Sequence, residues 1–391
     1  MAKHLAERPS GARVLAETGG VPILIRALHA ASTKFLDLFE GENTIYDILS
    51  CLVLIFSSRP FYPDVAVAFE NNLIPAIMAC ARSQRMRPLS RDALNQLKLL
   101  LTRTLPAAMV YSSVVRALAQ GEKAMLSTAD YWEPIGTDEL LGTPLHEEYK
   151  GFMVLLATRL CDYDIFRSGA HSDLRACDNH LCNIIQPTAK FKRCAQCVES
   201  YYCSSICQKV AWRQNGHRTR CTPLSHTPQK FPGSSDTLLH KRDDRFLRLI
   251  IQQHYMRSSF ELLQQQLAYI RETRRTDFVL EFIFTAGHPV EVQVTHLPFR
   301  QEDGFDRWPA DAPPLTRCLV ALDAGGGHGK KTEMVVRTYL LRRAPGASEE
   351  LARRMVKLAS EMQNGDICEE GSVVYRKLQQ ISVLDVVEVV C

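Results

Sequence analysis

The sequence has no long apolar run. The longest stretch, about Ile48–Phe56 with Ser50 inside it, is too short to span a bilayer. Neither sign of charge is in large excess: 47 basic and 43 acidic side chains leave a net +4, so bulk charge does not make this chain a polyanion binder. Met1–Ser10 is polar with no apolar centre, so no secretory signal is expected there. Gly-x-Ser-x-Gly and His-Glu-x-x-His are both absent, which removes two common hydrolase signatures. Histidines such as His240, His254 and His288 lack matched partners and read as surface or core residues. These absences leave an intracellular protein, nuclear or cytoplasmic, as the expectation. Hydrophobic residues at 46% and charged residues at 23% are ordinary for a globular chain, and 391 residues allow two or three domains.

Cysteine is what the chain has in quantity. Of 13 cysteines, seven lie between Cys177 and Cys221. The other six, Cys51, Cys80, Cys161, Cys318, Cys368 and Cys391, are scattered and read as buried reduced thiols. Clustered pairs without an export signal favour metal thiolates over disulfides.

Residues 1–160 read as α-helical. Ala12–His29 and Thr44–Phe56 carry apolar residues at helical spacing. Two segments look alike, Glu17–Leu24 and Glu70–Ile77. In each, a helix ends at Gly or Asn and a proline, Pro22 or Pro75, starts the next. This resembles the armadillo-type turn, although the proline spacing is longer than one armadillo unit. An irregular helical domain with two similar turns fits as well. Residues 222–243, with Pro223, Pro228, Pro232 and Gly233, read as a linker. Residues 244–391 read as an α+β domain. It has one long helix over 244–275, then strands at Asp277–Phe284, His288–His296, Arg317–Leu322 and Glu333–Leu341. A further helix, Ser348–Gln363, has Ser348 as its cap. The expected architecture is multidomain α+β.

The ligand candidates are Cys177, Cys182, Cys194, Cys197, Cys203, Cys207, His217 and Cys221. They form C-x4-C, C-x2-C, C-x3-C and H-x3-C pairs. A short pair brings two side chains onto one ion from a knuckle or a helical turn. Zinc takes four such donors in a tetrahedron at about 2.0–2.3 Å. Eight donors therefore make two closed structural sites, with no position left for water or substrate. Spacing alone permits sequential or interleaved pairing. His180 is an alternative to Cys182, and thiolate is the favoured ligand.

These residues, with Tyr202, Gln208 and Trp212, resemble the MYND-type zinc finger: two cysteine pairs, then Y-C-x3-C-Q, a tryptophan and H-x3-C. Phe191-Lys192-Arg193 and Gly216-His217-Arg218 also look like fungal members of that family. The resemblance implies interleaved sites, Cys177/Cys182/Cys203/Cys207 and Cys194/Cys197/His217/Cys221, each holding a structural Zn2+. It also implies a protein partner, bound through a short proline-containing peptide in a groove at Gln208 and Trp212. Two spacings depart from the commonest pattern: the first pair is x4, and Trp212 to His217 is longer. A third groove position is Ala195 rather than a hydroxyl residue. The alternative for Trp212 is packing of the small finger core.

The finger is basic, with Lys190, Lys192, Arg193, Lys209, Arg213, Arg218 and Arg220 against Asp178 and Glu199. The excess offsets thiolate charge; nucleic acid is the less favoured explanation, since no long recognition helix is evident. A rival signal lies in Asp323–Gly329, Asp-Ala-Gly-Gly-Gly-His-Gly, which resembles the cofactor loop of S-adenosylmethionine methyltransferases. Lys330–Leu341, immediately after it, reads as a strand rather than a helix, so a hairpin loop is the better reading. A SET-type methyltransferase would need Asn-His-x-Cys after residue 221, and none occurs. No catalytic constellation is complete, and a non-enzymatic interaction module is the expectation.

Overall fold

The computed structural model describes residues 9–34, 40–57, 62–86, 89–121, 142–169, 174–179, 182, 184–197, 200–214, 217–221, 241–276, 278–284, 291–295, 316–323, 334–343, 347–362, 372–382 and 387–390. The described part is mostly helical. Two turns with left-handed residues decide how the first helices fold back. Helix α1 (Pro9–Glu17) ends, Gly19 takes φ +77°, and α2 (Gly20–Lys34) leaves at 89°. Glycine adopts that conformation without a Cβ penalty. After α3 (Glu40–Phe56), the device recurs. Helix α4 (Tyr62–Glu70) meets α5 (Leu73–Met86) at 74° across Asn72, whose φ is 65°. Pro22 and Pro75 fall in the first turns of α2 and α5, where a missing N–H is tolerated.

Helix α6 (Arg91–Leu99) is capped by Ser90, whose Oγ accepts from the Ala93 N–H at 3.3 Å. It widens into a π-turn over Leu100–Thr104, where the Leu105 N–H donates to Leu100 O, and continues as α7 (Leu105–Ala108). Pro106 accounts for the widening: its ring would clash with the carbonyl four residues back in a regular α-helix. Helices α8 (Ser112–Gly121) and α9 (His146–Ser168) complete this region. Leu28, Leu49, Leu52, Ile55, Leu97, Leu105 and Tyr149 are its fully buried centre.

Residues 174–221 contribute strands β1 (Leu174–Ala176), β2 (Ile185–Pro187), β3 (Lys192–Arg193) and β4 (Tyr201–Tyr202), and helices α10 (Ser205–Arg213) and α11 (His217–Arg220). The single helix expected over 244–275 is two, α12 (Lys241–Arg257) and α13 (Ser259–Thr273), separated at Ser258. The break lets one apolar sequence serve two cores. Phe246, Leu247, Ile250, Ile251 and Tyr255 of α12 join the N-terminal helices, whereas Leu263, Leu267 and Ile270 of α13 belong to a second cluster. Of the expected linker, 222–240 lies outside the described residues, as do His240 and His288.

The expected strands appear as β5 (Val279–Phe284), β6 (Glu291–Thr295), β7 (Thr316–Asp323) and β8 (Met334–Arg343). With β9 (Val387–Val390) they form one sheet in the order β6-β5-β7-β8-β9. Its β5–β7 pair is parallel and the other pairs are antiparallel. Helices α14 (Ala347–Glu361) and α15 (Val373–Ser382) pack with α13 through Leu351, Met355, Leu358, Leu378 and Ile381. The helix begins at Ala347, a better helix former than the serine after it, so Ser348 lies within its first turn rather than before it. The glycines at 325–327 and 329 lie outside the described residues.

A buried ionic clamp joins α9 to α12. Arg159 and Asp162 are 3% and 0% exposed. Arg159 Nη1 donates to Asp162 Oδ2 at 3.1 Å, and Arg257 donates to the other carboxylate oxygen. Burial, together with the Arg159 and Arg257 cations, pulls His254 down to about 4. Removing the shared carboxylate by Asp162→Ala leaves Arg159 buried without its partner and is expected to cost about 3–5 kcal/mol in a urea melt. His254 is protonated near pH 6.5 in the unfolded chain, well before the folded chain accepts a proton. Stability is therefore full above that pH and falls between pH 6.5 and 4, by on the order of 3 kcal/mol. His254→Gln should flatten that part of the pH–stability curve, and a curve unchanged by the substitution contradicts the assignment.

Candidate metal centre

Four short local structures present the eight donors. Cys177 lies just after β1. The Cys182 N–H donates to Asn179 O at 2.8 Å, and the Cys177 N–H to Ile184 O at 3.0 Å, closing a knuckle around the first pair. Cys194 and Cys197 sit in the turn after β3, where the Cys194 N–H donates to Ser200 O at 2.9 Å. Cys203 precedes α10 and Cys207 lies in its first turn. Ser204 caps that helix, its Oγ accepting from the Cys207 N–H at 3.1 Å. His217 and Cys221 are four residues apart across α11, and the Cys221 N–H donates to His217 O at 2.7 Å.

The fold brings these pairs together in interleaved order. Cys177, Cys182, Cys203 and Cys207 form one group; Cys194, Cys197, His217 and Cys221 form the other. Within each group the donor atoms lie within 4.8 Å of one another. The sulfurs of Cys182 and Cys203 are 3.6 Å apart, those of Cys203 and Cys207 3.5 Å, and those of Cys194 and Cys221 3.7 Å. A tetrahedron with metal–sulfur bonds near 2.3 Å has edges of about 3.8 Å, so the spacing fits zinc. The two groups therefore fit two zinc sites. Cys182 takes the place for which His180 is the alternative in the sequence; His180 lies outside the described residues.

The imidazole is oriented. Its Nε2 lies 3.9 Å from Cys197 Sγ, and Nδ1 lies 3.3 Å from Ser200 Oγ. A hydrogen bond at Nδ1 fixes the ring while Nε2 faces the metal. Tyr202 and Trp212 meet the same ring edge-on, with centroids 5.7 and 5.6 Å away. Asp178 acts on the other group: it exchanges hydrogen bonds with Tyr201, tying the first knuckle to β4. Neither Ser200 nor Asp178 stands out in the sequence, because residues that orient a ligand have no fixed spacing from it. Ser204 carries a readable signal, a serine just before a helix.

The thiol protons are unevenly held. Burial pushes Cys177 up, Cys182 to about 11 and Cys221 to about 12. Against the same burial, hydrogen bonds from Asn179 and Ser204 bring Cys207 to about 7, and the Cys197 backbone with the His217 side chain brings Cys194 to about 6. A divalent cation resolves this competition by converting all the thiols to thiolates at once.

Apolar burial in the segment is small: Phe191, Tyr202 and Ala211, beside the ligands themselves. Binding of metal has to supply most of the folding free energy, on the order of 10–16 kcal/mol. Each site has four protein donors, so none is left open for water or substrate. Residues 177–221 match the family model described as MYND finger. The segment is a MYND finger. No curated protein and no solved structure matches the chain. MYND fingers mediate protein–protein interactions. Among the described residues, no single helix is long and apolar enough to cross a membrane.

The two sites differ in exposure. Cys194, Cys197, His217 and Cys221 are all buried, whereas Cys182, Cys203 and Cys207 are half-buried. Zinc release to a chromogenic chelator is expected in two phases of one ion each, the faster from the Cys182 site. Cys182→Ser should remove the fast phase and keep the slow one. Acid should also strip the metal, because protons compete for thiolates that the ion holds deprotonated: both phases accelerate as pH falls below neutral. Release in a single phase unaffected by Cys182→Ser contradicts this ordering.

Proposed function

We propose that the MYND finger of this chain is a rigid docking module for a short proline-containing peptide of a protein partner, and that the chain is not an enzyme. The observation that carries this reading is the pair Gln208 and Trp212. They lie four residues apart on α10, so they share a side of the helix, and both are half-buried. Trp212 packs against His217 with one edge and keeps part of its ring at the surface. Among the described residues, no hydrogen bond engages the Gln208 amide. An aromatic surface beside a free amide suits an extended, proline-rich ligand, whose own conformation is already ordered. Packing on His217 and binding a peptide are compatible roles for one indole.

The non-enzymatic part rests on two supports. Both zinc sites use all their coordination positions on protein donors. Asp323 ends a strand whose next described element is another strand, β8, antiparallel to it; a methyltransferase cofactor loop leads into a helix. The remaining architecture belongs to the same proposal: an armadillo-like N-terminal region, supported by the matching turns at Gly19 and Asn72, and an α+β domain over 244–391, supported by the five-stranded sheet.

Calorimetry separates the readings. A proline-containing peptide selected on the full zinc-loaded chain is expected to bind with micromolar affinity or better. Trp212→Ala should weaken it at least about tenfold, a hot-spot effect for an aromatic anchor, while zinc content stays at two per chain. Titrated S-adenosylmethionine should give no heat. Binding of that cofactor, lost on Gly325→Ala and Gly327→Ala, overturns the proposal in favour of methyl transfer.

A further inference from the structure

Helix α10 has a third side that neither the metal nor the proposed groove uses. Cys207 and Ala211 face inward, and Gln208 and Trp212 lie along one flank. The remaining side carries Ile206, Lys209, Val210 and Arg213, at the i, i+3, i+4 and i+7 positions of one stripe. Ile206 is 71% exposed, more than any other large apolar side chain among the described residues. Lys209 and Arg213 are exposed and Val210 is half-buried.

Thiolate charge accounts for a basic finger as a whole, but neither metal group calls for an exposed isoleucine beside two of its cations. Ile206 touches neither metal group as a donor, and a β-branched residue is a poorer helix former than the polar residues suited to a solvated face. Lys209 and Arg213 make no ion pair among the described residues, and the helix contains no acidic residue. They stand one helical turn apart, with Val210 between them.

We propose that this outer side of α10 docks an acidic, amphipathic segment of a partner protein, with an aliphatic or aromatic side chain on Ile206 and Val210 and carboxylates on Lys209 and Arg213. The charge decides the occupant: two cations that make no ion pair among the described residues, beside an apolar centre, match carboxylates beside an apolar side chain. A nucleic acid backbone would satisfy the cations and leave Ile206 in water. Exposed ion pairs add little affinity individually. Burial of Ile206 therefore supplies the strength, and the cations supply orientation and choice of partner. This surface is separate from the peptide groove, so either can exist without the other.

The test uses the full zinc-loaded chain and phage-displayed random peptides of roughly 15 residues, long enough for a helical ligand. The enriched pool should carry excess Asp and Glu around one or two aliphatic or aromatic residues. A synthetic peptide from that pool, read by fluorescence anisotropy, should lose at least about tenfold in affinity on Ile206→Ser, a truncated central anchor. It should weaken similarly on combined Lys209→Glu and Arg213→Glu, and bind Trp212→Ala unchanged. Zinc content of two per chain in every variant establishes that the finger is folded. No enrichment, a pool without acidic excess, or binding that survives Ile206→Ser overturns the proposal. So does loss on Trp212→Ala, which would assign the peptide to the groove. Poly(dT) bound more tightly than the peptide, and lost with the charge reversals but not with Ile206→Ser, overturns it in favour of nucleic acid.

Discussion

Metal–thiolate bonding is the constraint on which the finger depends. Its apolar interior amounts to little more than Phe191, Tyr202 and Ala211, too few to offset the entropy of ordering such a chain. The cross-braced arrangement does more than supply energy. Each ion ties a pair from one part of the segment to a pair two steps later, so the knuckle at Cys177 is bound to the start of α10 and the turn at Cys194 to α11. Neither half can form its site alone. A short helix such as α10 would be marginal in isolation; held by Cys207 at one end and packed through Trp212 on His217 at the other, it becomes a fixed platform.

The rest of the described chain is held in another way. Its helices bury Leu, Ile, Val and aromatic side chains in two cores, and specific polar contacts set the placement of those around the larger one. Asp243 of α12 accepts from both the backbone N–H and the hydroxyl of Ser112, at 2.8 and 2.7 Å, capping α8 from a helix far away in sequence. Asp162 then fixes the other end of α12 through Arg257. A helix that comes after the finger in sequence is thus pinned at both ends to helices that precede it, so the finger's two flanking segments are held by one core.

How much of the structure is legible in the sequence depends on how local the physics is. The eight ligands are readable because metal geometry demands particular residue types at short spacings, and the left-handed turns because Gly19 and Asn72 are among the few residues that adopt them. The strands β5 to β8 are readable from apolar alternation and composition. The break at Ser258 is not, since helical periodicity continues across it; only the choice between two cores decides it. Helix α15 and strand β9 also escape. The stripe of Val374, Leu378 and Ile381 has helical spacing but belongs to a helix only ten residues long, and Val387–Val390 is too short to stand out from other valine-rich stretches. The interleaved pairing cannot be had from spacing at all and comes from the family resemblance.

The nine residues of α10 illustrate how metal binding frees a surface. In an ordinary amphipathic helix one face is committed to a hydrophobic core, and the stability of that core limits what the other positions can hold. Here the inward commitment reduces to Cys207 and Ala211, because the ion replaces the missing apolar contacts. An indole can then sit at the boundary with part of its ring in water, and an isoleucine can face outward at 71% exposure without being needed inside. Sequence variation on these outer positions is decoupled from folding as long as the ligands remain. That decoupling is a physical reason why a small zinc-braced module suits recognition: apart from Trp212, which also packs on His217, the outward residues open to a partner are not the residues that hold the fold.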